Sequence, residues 1–391
     1  MPEADILTGA GGQSSVDLLI VGGGIMGLWA ALKAERLGIN TLLVDAGVLG
    51  QGASGGVLGA LMAHAPERWN PKKQFQFTAL IALEEEIERL EAESGLKSGY
   101  RRCGRIIPLP TAHHRVTAER QALEAKVNWQ ATGHDFRWEV FDSPMIGGWP
   151  SADVAEHGIV HDTLAGRVSP RQLLAVLITL LRRAKHVRIV ENSSVAALQP
   201  NASSARLSDG DTVVFGHCLI AAGHQSFPLL QGLGEPTKKP LGMPVKGQAA
   251  LMKAEGLEDR PLIFRDGLYV VPHDDGIVAI GSTSENSFSS ADDTDAQLET
   301  LIAEARRIAP VLTDAPVIAR WAGLRPKAIG RDPMIGPHPA HSNILAFTGG
   351  FKVSFGVAHQ LADAVMALVG DRAIDLPASF LFSAHLESAS R

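Results

Sequence analysis

Residues 16–45, VDLLIVGGGIMGLWAALKAERLGINTLLVD, restrict the fold more than any other stretch of the chain. Val16 to Val21 is a short apolar run of the kind found in buried parallel strands. It runs into Gly22-Gly23-Gly24-Ile25-Met26-Gly27, a match to G-x-G-x-x-G. Leu28 to Leu37 follows at helical spacing, rich in alanine, and Gly38 stands where a C-cap belongs. Thr41 to Val44 reads as a second buried strand with Asp45 at its end. Each part has a task if the ligand is a dinucleotide. Gly22 allows the tight turn, Gly24 lets a pyrophosphate approach bare backbone, and Gly27 lets helix and strand pack closely. The free N–H groups and positive dipole end at Ile25 and Met26 suit phosphate oxygens. Asp45 can accept hydrogen bonds from ribose hydroxyls, which favours a nucleotide without a 2′-phosphate. An ordinary strand–helix–strand unit leaves the three adjacent glycines and the acid unexplained.

Beyond Asp45 and Ala46, residues 47–61 are crowded with glycine and small side chains, as expected where backbone meets a flat ligand; a flexible loop is the other reading. Helices are expected over 73–90, 117–128, 170–182, 293–308 and 356–369. The run Glu84-Glu85-Glu86 reads as a solvated face. Ser169, Pro170 and Gln172 read as N-cap, first helical position and capping box. Short strands are expected at 187–190, 195–198, 205–207, 212–215 and 218–222, the last ending in Ala222-Gly223. Residues 244–251, 262–264, 268–272 and 277–281 read as one antiparallel sheet, and 343–350 as a final buried strand. The fold class is therefore α/β: a Rossmann-like nucleotide-binding domain with a parallel sheet, plus an inserted α+β substrate domain with an antiparallel sheet. The boundaries fall at 16–95, 145–235 and 325–375 for the first, and 96–144 and 236–324 for the second.

With 391 residues, 45% hydrophobic and 20% charged, the chain is long enough for two globular domains. A net charge of −6 without a basic block excludes an evident nucleic-acid partner. Two cysteines, Cys103 and Cys218, form neither a metal pattern nor a disulfide framework, which points to a reducing cytoplasm. Residues 1–15 read as a loose tail without signal-peptide character, and no apolar run approaches the roughly 20 residues a membrane span needs.

Eight stretches, in order, resemble the D-amino-acid oxidase superfamily of flavoproteins, near its glycine oxidase, sarcosine oxidase and D-amino-acid dehydrogenase branch. They are residues 16–45; Gly52-Ala-Ser-Gly-Gly56; Gly166-Arg-Val-Ser-Pro170; Ile220-Ala-Ala-Gly223; Pro244-Val-Lys-Gly-Gln248; Tyr269-Val-Val-Pro272 with Ile280-Gly-Ser-Thr283; Trp321-Ala-Gly-Leu-Arg325-Pro326; and Phe347-Thr-Gly-Gly350. The resemblance spans residues 16–370 and implies FAD. It places Gly22, Gly24 and Gly27 at the pyrophosphate, Asp45 at the adenosine ribose and Val195 at the adenine. Gly52, Ala53 and Ser54 would approach the pyrophosphate and flavin. Gly349, Gly350, Phe351, Lys352 and Val353 would run beside the pyrimidine end, under the positive end of the helix from Gly356. Neither cysteine matches the position of covalent flavin attachment in sarcosine oxidases, so the FAD is expected to be non-covalent.

The resemblance also nominates a pocket. In related amino-acid oxidases the arginine of W-A-G-L-R-P holds the substrate carboxylate, a role the guanidinium fork suits, so Arg325 is the leading candidate; a structural arginine is the alternative. Tyr269 is a candidate hydroxyl over the substrate, or a core residue. Lys352 stands where relatives often have arginine, and as a point charge can stabilise reduced flavin or steer an anion. His64 either faces the flavin or is a structural histidine. Lys246 reads as structural. The expected reaction is hydride transfer from Cα of a small amine or amino acid to flavin N5, giving an imine that hydrolyses, with oxygen or a quinone as final acceptor. The alternatives are oxidation of a hydroxy acid or other small anionic alcohol with His64 as base, and a non-catalytic flavin-binding subunit.

Overall fold

The structure, a computed structural model, describes residues 12–391. Most of the expected tail, residues 1–11, lies outside the described residues; Gln13 to Ser15 already belong to the first strand, Gln13–Val21. That strand is Val16–Val21 extended backwards by pairing with Thr212–Ile220 from Gln13 onward. Backbone partners, not apolar side chains, extend it, so the pattern did not show it.

Two eight-stranded sheets organise the molecule. The first has a parallel core in the order 187–190, 41–44, 13–21, 212–220, 341–348. Thr212–Ile220 is a single strand where the sequence reading has two. Its first half pairs antiparallel with Ser204–Leu207 and its last residues pair parallel with Ile344–Ala346. The second sheet runs 317–328, 242–253, 277–281, 268–273, 262–265, 105–108, 159–162, 138–141. Its pairs are antiparallel except 262–265 with 105–108.

The second sheet reaches beyond the expected substrate domain. Ile159–Asp162 was expected in the nucleotide-binding part, yet it pairs with Arg105–Pro108 and Trp138–Phe141. Residues 325–328, assigned to the nucleotide-binding part, continue the long strand Val317–Ala328 along Gly242–Lys253. In both cases ladder pairing with distant strands decides, and no local pattern records it.

The helices Ile25–Leu37, Pro71–Ser94, Pro170–Leu181 and Ser354–Val369 pack on the parallel sheet around Trp29, Leu80, Leu177 and Leu361, all buried. Ser169 and Pro170 stand at the helix start as expected, but the capping box does not form: Ser169 makes no side-chain cap bond. The chain at Ser98 and Gly99 lies over that turn, with Ser169 N–H donating to the Ser98 carbonyl (3.0 Å), and a side chain at Gly99 would crowd Gln172 Oε1. Nor is Glu86 solvated. It is 6% exposed and pairs with Lys33 and Arg36.

Candidate active site

The turn after the first strand is shaped by absent side chains. Gly22 has φ 108°, and a Cβ there would lie 2.5 Å from the Ala221 carbonyl oxygen. A Cβ at Gly27 would overlap the Gly22 carbonyl oxygen, so this glycine lets the helix close on the strand. Gly24 is the N-cap of the helix 25–37 and offers no side-chain cap bond. Ser54 Oγ caps that end instead, accepting from Ile25 N–H at 2.9 Å. Asp45 spans the turn: its Oδ2 accepts from Gly23 N–H (2.7 Å) and its Oδ1 from Gly47 N–H (2.8 Å). Each carboxylate oxygen keeps a lone pair for a further donor.

These residues form one end of a cavity of about 1020 Å³ between the C-terminal ends of the parallel strands and the second sheet. Ligands of open α/β sheets bind in that crevice. Gly22, Gly24, Ile25, Met26, Asp45, Ala46, Gly52, Ala53, Ser54, Val195, Ala222 and Gly223 line it, as do Gly350, Phe351, Lys352 and Val353. Two expected cofactor residues do not. Gly27 is turned against Gly22, and Gly349 occupies a left-handed turn (φ 77°) packed on Ala328 and Asp332. Both serve backbone approach within the protein. Lys246 is buried at 2% exposure and is likewise outside the cavity lining.

The same cavity holds the four pocket candidates: Arg325, Tyr269, Lys352 and His64 all line it. Arg325 lies on Val317–Ala328, paired with Val245 across the ladder. Gly247, two residues on along that neighbour, shares the face, and a Cβ there would overlap the guanidinium. Arg325 Nη1 donates to Ser282 Oγ (3.0 Å), and Nη2 donates to the carbonyls of Lys246 (3.2 Å) and Thr283. Three of its N–H groups are thus committed to the protein, and Nη1 keeps one N–H uncommitted, as does the buried Nε. Burial lowers its pKa to about 10 against the opposing pull of Tyr269 and Glu285, so the group stays cationic at neutral pH. The guanidinium carbon lies 5.4 Å from the centre of the Phe351 ring.

Lys352 has a left-handed backbone (φ 64°), and its Nζ lies 5.6 Å from the same ring centre. Loss of water around its ammonium, then the charge of Arg325, bring its pKa down to about 8. Tyr269 packs at 4.8 Å from Phe264, and burial raises its hydroxyl pKa. His64 is neutral at pH 7: burial, then Lys72 and Lys73, lower its pKa to about 4. Its backbone N–H donates to Gln76 Oε1 at 2.9 Å.

The sequence reading missed several lining or supporting residues. Trp321 lies against Gly56 and Gly323, where added side chains would crowd its ring. Behind Arg325, the fully buried Gln248 donates to Glu285 Oε1 (3.0 Å) and Asp295 Oδ1 (2.9 Å), and its backbone N–H donates to Thr283 Oγ1 (2.9 Å). Gly247 and Gln248 stand inside the quoted P-V-K-G-Q motif, and Ser282 and Thr283 inside I-G-S-T, which was the available signal.

A glycine-lined dinucleotide turn opening into a cavity that also holds buried cations fits a nucleotide-dependent oxidoreductase. The family model for FAD-dependent oxidoreductases (DAO) matches residues 17–364, and the chain belongs to that family. It is an FAD-dependent oxidoreductase, and the cradle at Gly22, Gly24 and Ser54 fits the group the family binds. Glycine oxidase from Pseudomonas aeruginosa is 28% identical over 363 residues, covering 86% of this chain and 89% of its own length. The bifunctional protein ThiO/ThiG of a Synechocystis species is 28% identical over 387 residues, but this chain spans 54% of its length. The crystal structure of glycine oxidase from Geobacillus kaustophilus has the same fold, with TM-score 0.84 at 21% identity over 94% of this chain and 98% of that one. Among the described residues no helix is long and apolar enough to cross a membrane.

Proposed function

We propose that this protein oxidises the C–N bond of a small amine or amino acid that carries a carboxylate. The observation that carries the reading is Arg325, a buried cation held in place by Ser282, Lys246 and Thr283, in one cavity with the dinucleotide turn. The curated relatives named glycine oxidase support it.

When bound, non-covalently, FAD supplies a two-electron hydride acceptor. Gly22, Gly24, Ile25 and Ser54 would hold its pyrophosphate and Asp45 its ribose. Val195 would lie by the adenine, and residues 350–353 by the ring. Neither cysteine lines the cavity, which supports non-covalent binding. Arg325 anchors the substrate carboxylate through charge and its uncommitted Nη1 N–H. Tyr269 bounds the substrate from the second sheet. So held, the amine loses a hydride from Cα, its C–N bond becomes C=N, and water hydrolyses the imine to an oxo compound and ammonia or an amine. Orientation is the main contribution of these side chains, since few acid–base groups line this end. Oxygen or a quinone takes the electrons. The two free cysteines support a reducing, cytoplasmic setting.

The test is anaerobic bleaching of the flavin by a panel of D- and L-amino acids and N-methyl amino acids. Bleaching is expected with members of the panel, and an unchanged spectrum across it removes the reading. A second reading, oxidation of a hydroxy acid, is favoured by His64, a neutral imidazole on the cavity wall that can take a hydroxyl proton. Bleaching by a hydroxy acid that is lost in His64→Ala, with FAD retained, would establish it.

A further inference from the structure

The helix Ala112–Asn128 is attached by its smallest apolar side chains and shows its larger ones to solvent. Only Ala118 and Ala125 of its residues are buried, in the cluster that also holds Trp129 and Trp138. Val116, Leu123 and Val127 are 63%, 65% and 73% exposed. They are three of the nine large apolar side chains left exposed among the described residues. Their spacings of seven and four residues put them on one stripe of the helix, opposite the two buried alanines, with Arg120 in the same row. Covering such a stripe removes apolar surface from water.

Charge indicates what covers it. Glu119 and Lys126 border the stripe on one side, and Thr117 and Glu124 border it on the other. Glu119, Glu124 and Lys126 are exposed. A lipid surface calls for a basic border, and this one carries both signs. A second copy of the same helix matches it in one direction. In an antiparallel pair about a two-fold axis, Val116 meets the second copy's Val127. Leu123 then lies on the aliphatic stem of the second copy's Arg120, whose guanidinium is held aside by Glu67 (3.0 Å). The same arrangement sets Glu119 against the second copy's Lys126, and the symmetry makes that pair twice. A parallel pair sets Glu119 against Glu124 instead, like charge on like.

We propose that this protein self-associates through the helix Ala112–Asn128, packed antiparallel on the same helix of a second copy of the chain. None of its residues lines the cavity. It packs on Trp138–Phe141, which forms the opposite edge of the second sheet from the strand of Arg325. The association therefore leaves the cavity open and does not depend on which substrate is oxidised. A helix of 17 residues is about 26 Å long. Two such helices in contact bury less than the roughly 800 Å² per partner of a standard interface, so the dimer is weak and forms as concentration rises.

Sedimentation velocity of the FAD-loaded protein from about 1 µM to about 500 µM tests this. The weight-average mass should climb from that of one chain towards that of two. Leu123→Glu should weaken the association by about tenfold or more, because each dimer would cover two carboxylates. The flavin spectrum and the melt of that variant should match the native protein, since the side chain lies in solvent in the single chain. Glu119→Lys and Lys126→Glu should each weaken the dimer, and the two together should restore it, which loss of helix alone would not do. A single chain at every concentration overturns the proposal. So does a dimer that Leu123→Glu leaves intact, or a double variant no tighter than either single one. Flotation of the protein with phosphatidylglycerol vesicles that Leu123→Glu abolishes would give the stripe to a membrane, and overturns it too.

Discussion

Arg325 can be replaced by lysine without losing charge, and the outcome distinguishes charge from geometry. Arg325→Lys removes the planar fork that reaches Ser282, the Lys246 carbonyl and the Thr283 carbonyl at once. KM for a carboxylate substrate should rise about tenfold to a hundredfold, as expected for about 1.5–3 kcal/mol per charged hydrogen bond lost. FAD binding should persist, because the turn at Gly22 and Gly24 is untouched; steady-state kinetics with a flavin absorbance check measure both. An unchanged KM would make the arginine structural. Lys352 adds a pH dependence. Its lowered pKa of about 8 keeps the ammonium charged below that value and discharges it above. Of its neighbours, Arg325, at about 10, and Tyr269, raised by burial, hold their charge states through that range. Binding of a carboxylate ligand in the cavity should therefore weaken as pH rises from 7 to 9, read from binding constants at each pH.

At the scale of strands and helices, the close pairing of Gly242–Lys253 with Val317–Ala328 does the positioning. Gly247→Ala would push a methyl into the guanidinium. The expected result is a large loss of kcat/KM with FAD retained and a cooperative melt preserved. Loss of cofactor instead would show that the strand, not the side chain, was disturbed. This pairing also marks how far sequence can be read. The turn at residues 22–27 was legible because its glycine spacing is local, although the backbone that Gly22 approaches is that of Ala221. So were Ser169 and Pro170 at their helix start. The role of Gly247 was not, because the atom it makes room for belongs to a residue 78 positions away. The capping box at Ser169 and Gln172 failed for the same kind of reason, since the chain at Ser98 and Gly99 occupies its place. Glu86 read as solvated until Lys33 and Arg36, on another helix, came to meet it. Gly27 packs helix on strand as its place in the motif suggests, while Gly349, expected beside the flavin, is packed on Ala328 and Asp332 instead.

For the molecule as a whole, the cavity of about 1020 Å³ lies between the two sheets. Removing FAD should lower the unfolding temperature. A ligand at a hundred times its Kd adds about 2.7 kcal/mol to the folded state, a term the apoprotein lacks. Differential scanning fluorimetry of apoprotein and holoprotein, with added FAD restoring the melt, measures it. An identical melt would mean the cofactor contributes nothing to holding the halves together.

The strand Thr212–Ile220 has one further consequence. Its closing residues stay unpaired along one edge until Ile344 to Ala346 arrive. On a ribosome, the N-terminal glycine turn emerges long before the sheet that supports it is complete. Newly made chains must reach residue 346 before they can capture a flavin, and a chain cut short before residue 341 would leave synthesis with that edge bare.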